Sequence, residues 1–157
     1  MPATQLDLLD HSTAMSPIAM LEAARAYLTR PQRDVLSSWD ALLAYVHLKH
    51  GNPRREEFRV LFLDRKNCLL DDHLMGVGTV DHVPAYPREI MRQAILCDAS
   101  ALILIHNHPS GDPTPSESDI AMTKQVVKVG ALLGITVHDH VIVGAGRDIS
   151  MRAAGLM

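Results

Sequence analysis

The chain has 157 residues, 47% hydrophobic and 21% charged, with a formal charge of -3 and a sequence pI near 6.3; that is room for one domain with a proper core and excludes disorder throughout. No apolar run approaches the roughly 20 residues of a membrane span, the N-terminus has no positive region leading into an apolar stretch, and the acidic balance counts against broad DNA affinity, which needs a concentrated basic surface. A cytoplasmic protein with no membrane partner is expected. With one Trp, three Tyr and two Phe its core must be aliphatic, and Cys68 and Cys97 are too few for a disulfide framework or a cysteine zinc site.

Residues 1–16 lack periodicity and read as a flexible arm. A helix follows from Pro17 to Arg30, capped by Ser16, and Pro31 ends it. The arm, this helix and a short connection make an N-terminal segment over 1–35, ahead of a main domain over 36–157. A second helix runs from about Ser38 to His50 with Trp39, Leu42, Leu43, Val46 and His50 as its buried stripe, closed by Gly51-Asn52-Pro53. His47 and His50 lack a third metal ligand nearby. Lys49, Arg54, Arg55, Arg59, Arg65 and Lys66 cluster in sequence, but Glu56, Glu57 and Asp64 interrupt them, so they read as a solvated mixed-charge face.

Next comes a hairpin, with strands Glu57 to Leu63 and Cys68 to Leu74 about a turn at Asp64 to Asn67. Glu56, Phe58, Val60 and Phe62 share one face, where a carboxylate needs a partner or a task unless the strand begins after it. Gly76 to Val80 reads as a turn and short strand, since no phosphate-loop pattern is present. A helix from Pro87 to about Asp98 then presents Ile90, Met91, Ala94, Ile95 and Cys97.

Leu102 to Ile105 is an apolar run too short for a helix and reads as a strand buried on both faces. His106 and His108 follow, and residues two apart on an extended chain point the same way. Pro109, Gly111, Pro113 and Pro115 forbid regular structure until Ser116, where a helix begins that carries Asp119 in its first turn and runs to Gly134. Ile135 to Val143 is a strongly branched strand, with a second His-x-His at His138 and His140, and a short segment through Ser150 follows the turn at Gly144 to Gly146.

Two imidazoles and one carboxylate make three protein ligands, the number a catalytic zinc keeps while leaving a fourth position for water. Zinc lowers the pKa of such a water to about 7, and a nearby carboxylate can carry the protons. Ser116 could hydrogen-bond an oxyanion. Ser116 with Asp119 is equally a capping pair, and His-x-His after a strand is equally a polar surface turn. Convergence of all four residues with the proline-rich loop favours the metal.

These residues resemble a known pattern. His106, His108, Ser116 and Asp119 reproduce the JAMM signature of the JAB/MPN metalloprotease superfamily, His-x-His, seven residues, Ser, two residues, Asp, and HNHPSGDPTPSESD is similar to its bacterial RadC branch. The resemblance implies an α/β fold, a three-layer JAB/MPN-like (cytidine-deaminase-like) sandwich with a mixed sheet and flanking helices. It implies zinc held by His106, His108 and Asp119. It also places the catalytic glutamate at Glu56, with Glu57 the fallback, because Glu56-Glu57-Phe58 through Leu63-Asp64 matches the branch. The first fifty residues show no helix-hairpin-helix, which weakens any DNA-binding role taken over from the branch.

The reading favoured is a zinc peptidase or isopeptidase in which a zinc-bound water attacks an amide carbonyl of a peptide or protein substrate. Its alternatives are a DNA-repair-associated protein acting on or near nucleic acid, against which the acidic pI and the lack of a basic aromatic pattern count, and a noncatalytic interaction module. Zinc deaminase and HExxH protease patterns are absent.

Overall fold

Seven consecutive buried residues, Ala101–Asn107, form the central strand β3, and the layers around it follow from which way each neighbour's side chains point. The structure, a computed structural model, describes residues 16–29, 38–50, 54–78 and 85–157; the expected arm, the connection after the first helix, the stop at Gly51-Asn52-Pro53 and the segment from Thr79 to Pro84 lie outside the described residues. The chain divides into two units, Met1–Pro31 and Gln32–Met157. In the first, helix α1 spans Pro17–Thr29, and the Ser16 hydroxyl accepts from the Ala19 N–H at 3.1 Å, the cap that Ser-Pro predicts.

In the second unit a mixed five-stranded sheet has the order β2-β1-β3-β4-β5, with β1 at Glu57–Leu63, β2 at Leu69–Val77, β4 at Thr136–Val143 and β5 at Asp148–Ser150. β1 is antiparallel to β2 and β3, β4 parallel to β3, and β5 antiparallel to β4. A parallel pair requires a crossover, and α4, Glu117–Leu132, supplies it. Alternation sorts the apolar side chains onto two faces. Phe58, Val60, Phe62, Leu102 and Leu104 pack with α3 (Pro87–Leu96) and α4, while Leu61, Leu63, Ile103, Ile105 and Val141 pack with α2 (Trp39–His50). This is the expected sandwich of helices on both faces of a mixed sheet.

Three local expectations change, and α4 adds a feature of its own. Gly76 and Val77 belong to β2 rather than to a turn, because the ladder continues until the Gly78 N–H donates to the Glu56 carbonyl at 2.8 Å. On α2 the stripe is rotated: Leu42, Tyr45 and Val46 are buried and Trp39 is 39% exposed, since Tyr45 is drawn inward by a 2.5 Å hydrogen bond from its hydroxyl to Asp72. α4 turns small and polar residues to the sheet, Asp119, Thr123, Val126 and Gly130, and leaves Leu132 exposed. Its approach is close enough that a Cβ on Gly130 would lie 2.7 Å from the Ile135 carbonyl oxygen, so large side chains have no room there. Finally, the β3–β4 register shifts between Leu102 and Ile103, which face Val137 and Asp139. His138 is the extra residue of that bulge, and beyond it the strand's parity reverses. The second His-x-His is thereby split: His138 donates to Asn67 Oδ1 at 2.7 Å, and His140 is fully buried.

Candidate metal centre

The C-terminal end of β3 delivers His106 and His108 to one spot. His106 is 3% exposed, and the two rings stand perpendicular with centroids 4.8 Å apart. Antiparallel pairing sets Phe58 opposite His106, which brings the residue just before β1, the buried Glu56, to the same end; its Oε1 contacts His106 Nε2. Asp119 enters from the first turn of α4, with Oδ1 3.3 Å from His106 Nδ1 and Oδ2 3.8 Å from His108 Nε2. Among the described residues, Glu56, His106 and His108 offer ligand atoms all within 4.8 Å of one another. The sequence reading took His106, His108 and Asp119 as ligands, whereas the group that meets this spacing has Glu56 in place of Asp119. Glu57 lies elsewhere, with Oε2 3.5 Å from Arg59 Nη1.

Each of these side chains is held from behind. Ser116 is the N-cap of α4 in a full capping box with Asp119: its hydroxyl donates to Asp119 Oδ2 at 2.6 Å, its N–H donates to the same oxygen at 2.8 Å, and it accepts from the Asp119 N–H at 3.1 Å. The capping alternative is therefore realised, and it orients the carboxylate. His108 Nδ1–H donates to the Asp112 carbonyl at 2.7 Å, which leaves the lone pair of Nε2 available to accept. Asn107, between the two histidines and turned to the opposite face, accepts from the Glu57 N–H at 2.8 Å and donates to the Arg55 carbonyl at 3.0 Å. It grips the backbone on either side of Glu56. The turn after β4 braces the proline-rich loop, for a Cβ on Gly144 would lie 2.5 Å from the Gly111 carbonyl oxygen and 2.7 Å from Pro113.

The electrostatics follow from two carboxylates around one imidazole. Burial works to lower the His106 pKa, but hydrogen bonds and charge from Asp119, then Glu56, outweigh it and raise the pKa above the usual histidine value. For Asp119, burial works upward, and His106 and the Ser116 hydroxyl and N–H hold it well below the usual carboxylate range. His140, one residue pair deeper on the same face, is pushed down to about 3 by burial and by the neighbouring His106 charge.

Glu56 Oε2 is buried without a hydrogen-bond partner, and the buried His106 Nδ1 has only Asp119 Oδ1 beside it, at 3.3 Å. A buried polar group left so costs roughly 1–3 kcal/mol, more when charged. A divalent cation among these residues offsets that cost, and two imidazoles with carboxylate oxygens are donors that zinc takes, though other divalent ions accept them as well. The residues present fit a metal ion.

Sequence reasoning missed the supports. Thr123 stands one helical turn after Asp119, a spacing that places both on one face, and Asn107 was passed over as the variable residue of His-x-His. His47 and His50 go to different carboxylates, Asp148 at 2.8 Å and Asp72 at 3.0 Å, and form no metal group.

Comparison with known proteins places this arrangement. A family model described as the RadC-like JAB domain matches residues 36–156. A UPF0758 protein of Rhodobacter capsulatus is 55% identical over 143 residues, covering 89% of this chain and 67% of its own length. Another, from Ruegeria pomeroyi, is 50% identical over 146 residues, covering 91% of this chain and 65% of its own. The chain thus spans about two thirds of the length of these curated relatives. Among the described residues no helix is long and apolar enough to cross a membrane.

Proposed function

The chain belongs to the RadC family of JAB-like domains, and from that premise we propose that its main domain, over 36–157, is a zinc-dependent hydrolase of amide bonds, a cytoplasmic peptidase or isopeptidase acting on a peptide or protein substrate. The observation that carries the reading is the under-satisfied cluster at the end of β3, where Glu56 Oε2 is buried without a hydrogen-bond partner beside His106, His108 and Asp119. His106, His108 and Asp119 hold the metal, and Glu56 is kept for the proton. A zinc ion held there supplies Lewis acidity and a water acidified to a pKa of about 7.

Glu56 would take a proton from the attacking water and pass it to the departing amine nitrogen as the C–N bond breaks. Asn107 keeps the Glu56 backbone in register with β3. Ser116, expected to steady an oxyanion, has its hydroxyl proton on Asp119 Oδ2; we assign it to orienting that ligand, and an oxyanion contact would require the hydroxyl to turn away.

The nucleic-acid reading is disfavoured by the basic residues themselves. Lys49 and Arg59, two of the six in the cluster, point into Asp72 at 3.1 Å rather than toward a phosphate backbone. The test is to present zinc-loaded protein with a peptide library and with single- and double-stranded DNA. The proposal expects amide cleavage that falls by a factor on the order of 10² or more in Glu56→Gln. Cleavage of DNA with no peptide turnover overturns it.

A further inference from the structure

Behind the metal cluster lies a buried pair that the proposed chemistry does not use. Thr123 and His140 are both fully buried. The Thr123 hydroxyl sits 2.6 Å from the Asp119 carbonyl oxygen and 2.7 Å from His140 Nδ1. One hydroxyl carries one hydrogen, and the carbonyl can only accept, so that hydrogen goes to Asp119. The contact with His140 is then made by the ring's own Nδ1–H, donated to the Thr123 oxygen. This fixes the tautomer, and it leaves Nε2 as a bare acceptor, buried and without a partner.

A ring with one idle nitrogen is a poor choice for filling a core that Leu or Phe would fill without loss. Its two other contacts give it a reason to be there. It lies stacked beneath His106, with centroids 6.0 Å apart and planes 18° from parallel, and Phe58 holds both rings edge-on at 6.3 Å and 5.8 Å. One side chain therefore bears on the turn of α4 that carries Asp119, through Thr123, and on the plane of His106.

We propose that Thr123 and His140 are positioning residues that set Asp119 and His106 in a common geometry for the metal, with the Nδ1–H of His140 as the required feature. The inference rests on the metal reading above and deepens it. Losing the support behind a metal ligand lowers affinity by about 10- to 100-fold, and that is the size of effect assigned to this pair.

The test uses the full chain stripped of metal, zinc affinity by competition with a chromogenic chelator, the visible spectrum of the cobalt(II) form as a report on ligand geometry, and thermal unfolding of the metal-free protein. Thr123→Val and His140→Phe keep shape and lose the hydrogen bond; Thr123→Ser and His140→Asn keep a hydroxyl or an N–H in its place. The expected result is zinc affinity lowered about 10- to 100-fold with an altered cobalt spectrum in the first two and recovery toward wild type in the second two. Should Thr123→Val fail to fold, the contrast between His140→Phe and His140→Asn decides the matter by the same readout. Lower thermal stability with unchanged zinc affinity and cobalt spectrum means that the pair only fills the core, which overturns this inference and leaves the proposed function standing. A wild type that binds neither metal overturns both.

Discussion

Two buried polar clusters occupy opposite faces of one sheet and differ in how completely their carboxylate oxygens are paired. On the α2 face both oxygens of Asp72 take donors: Oδ1 takes Arg59 Nε at 3.1 Å, and Oδ2 takes the Tyr45 hydroxyl at 2.5 Å with Lys49 at 3.1 Å, while His50 Nε2, 3.0 Å from Oδ2, is an ion-pair contact only. On the α4 face, Glu56 and Asp119 both address His106, and Glu56 Oε2 is left over. The first ties α2 to β1 and β2. The second has more carboxylate than its own cation satisfies, so it gains most from an added positive ion. Histidines next to carboxylates are common to both, and only the pairing tells a structural cluster from a ligand-seeking one.

The largest effect should come from breaking the saturated side. Asp72→Ala leaves Lys49 without its counter-charge and Arg59 with Glu57 alone, and a loss of about 3–5 kcal/mol is expected, measured by denaturant unfolding; Glu56→Gln in metal-free protein should cost much less, because one of its oxygens has nothing to lose. Comparable losses would erase the distinction. Zinc reverses the order. At a free concentration 100 times its Kd it should stabilise wild type by about 2.7 kcal/mol and an Asp72→Asn protein by as much, while His106→Ala gains nothing.

Smaller effects sharpen the contrast. Gly144→Ala forces its new Cβ against Gly111 and Pro113, and the loop must shift at a cost of about 1–3 kcal/mol; the shift should weaken zinc binding and leave the Asp72 cluster untouched. The pH dependences run in opposite directions. Burial pushes Asp72 upward, but His50, Tyr45 and Arg59 hold its pKa below the usual carboxylate range. Its contribution is present above an unfolded pKa of about 3.9 and is lost as pH falls toward the lower folded value. His106 has a raised pKa, so in metal-free protein its contribution is complete below about 6.5 and is lost as pH rises through the folded value. Metal requires that proton to leave, so zinc affinity should climb over the same rise. Denaturation midpoints followed against pH test both, with His106→Gln expected to flatten the upper limb.

Much of the active end was legible because its signals are local. An apolar run of strand length, a His-x-His at its end and an Asp three residues after a capping Ser are fixed by alternation and by helix geometry alone, and they meet because β3 and α4 are consecutive. Glu56 needed more, since its approach depends on the antiparallel pairing of β1 with β3, fifty residues away, and the family pattern supplied what spacing could not. The inward turn of Tyr45 and the exposure of Trp39 were not legible, because the partner that draws Tyr45 in, Asp72, lies on another strand. His140 read as a polar strand residue near the site, but its separation from His138 was not legible, because a single bulge at His138 reverses the strand's parity and no pattern of period two reveals a residue that breaks the period.

The most direct measurement is the metal content per chain of untagged protein purified without chelator, for wild type and for His106→Ala, His108→Ala, Asp119→Ala and Glu56→Ala. The account predicts about one zinc per wild-type chain, loss in the three ligand variants, and retention in Glu56→Ala. Loss in Glu56→Ala with retention in Asp119→Ala would contradict the division of roles and make Glu56 the third ligand. A wild type that stays free of metal when zinc is supplied would contradict the central claim.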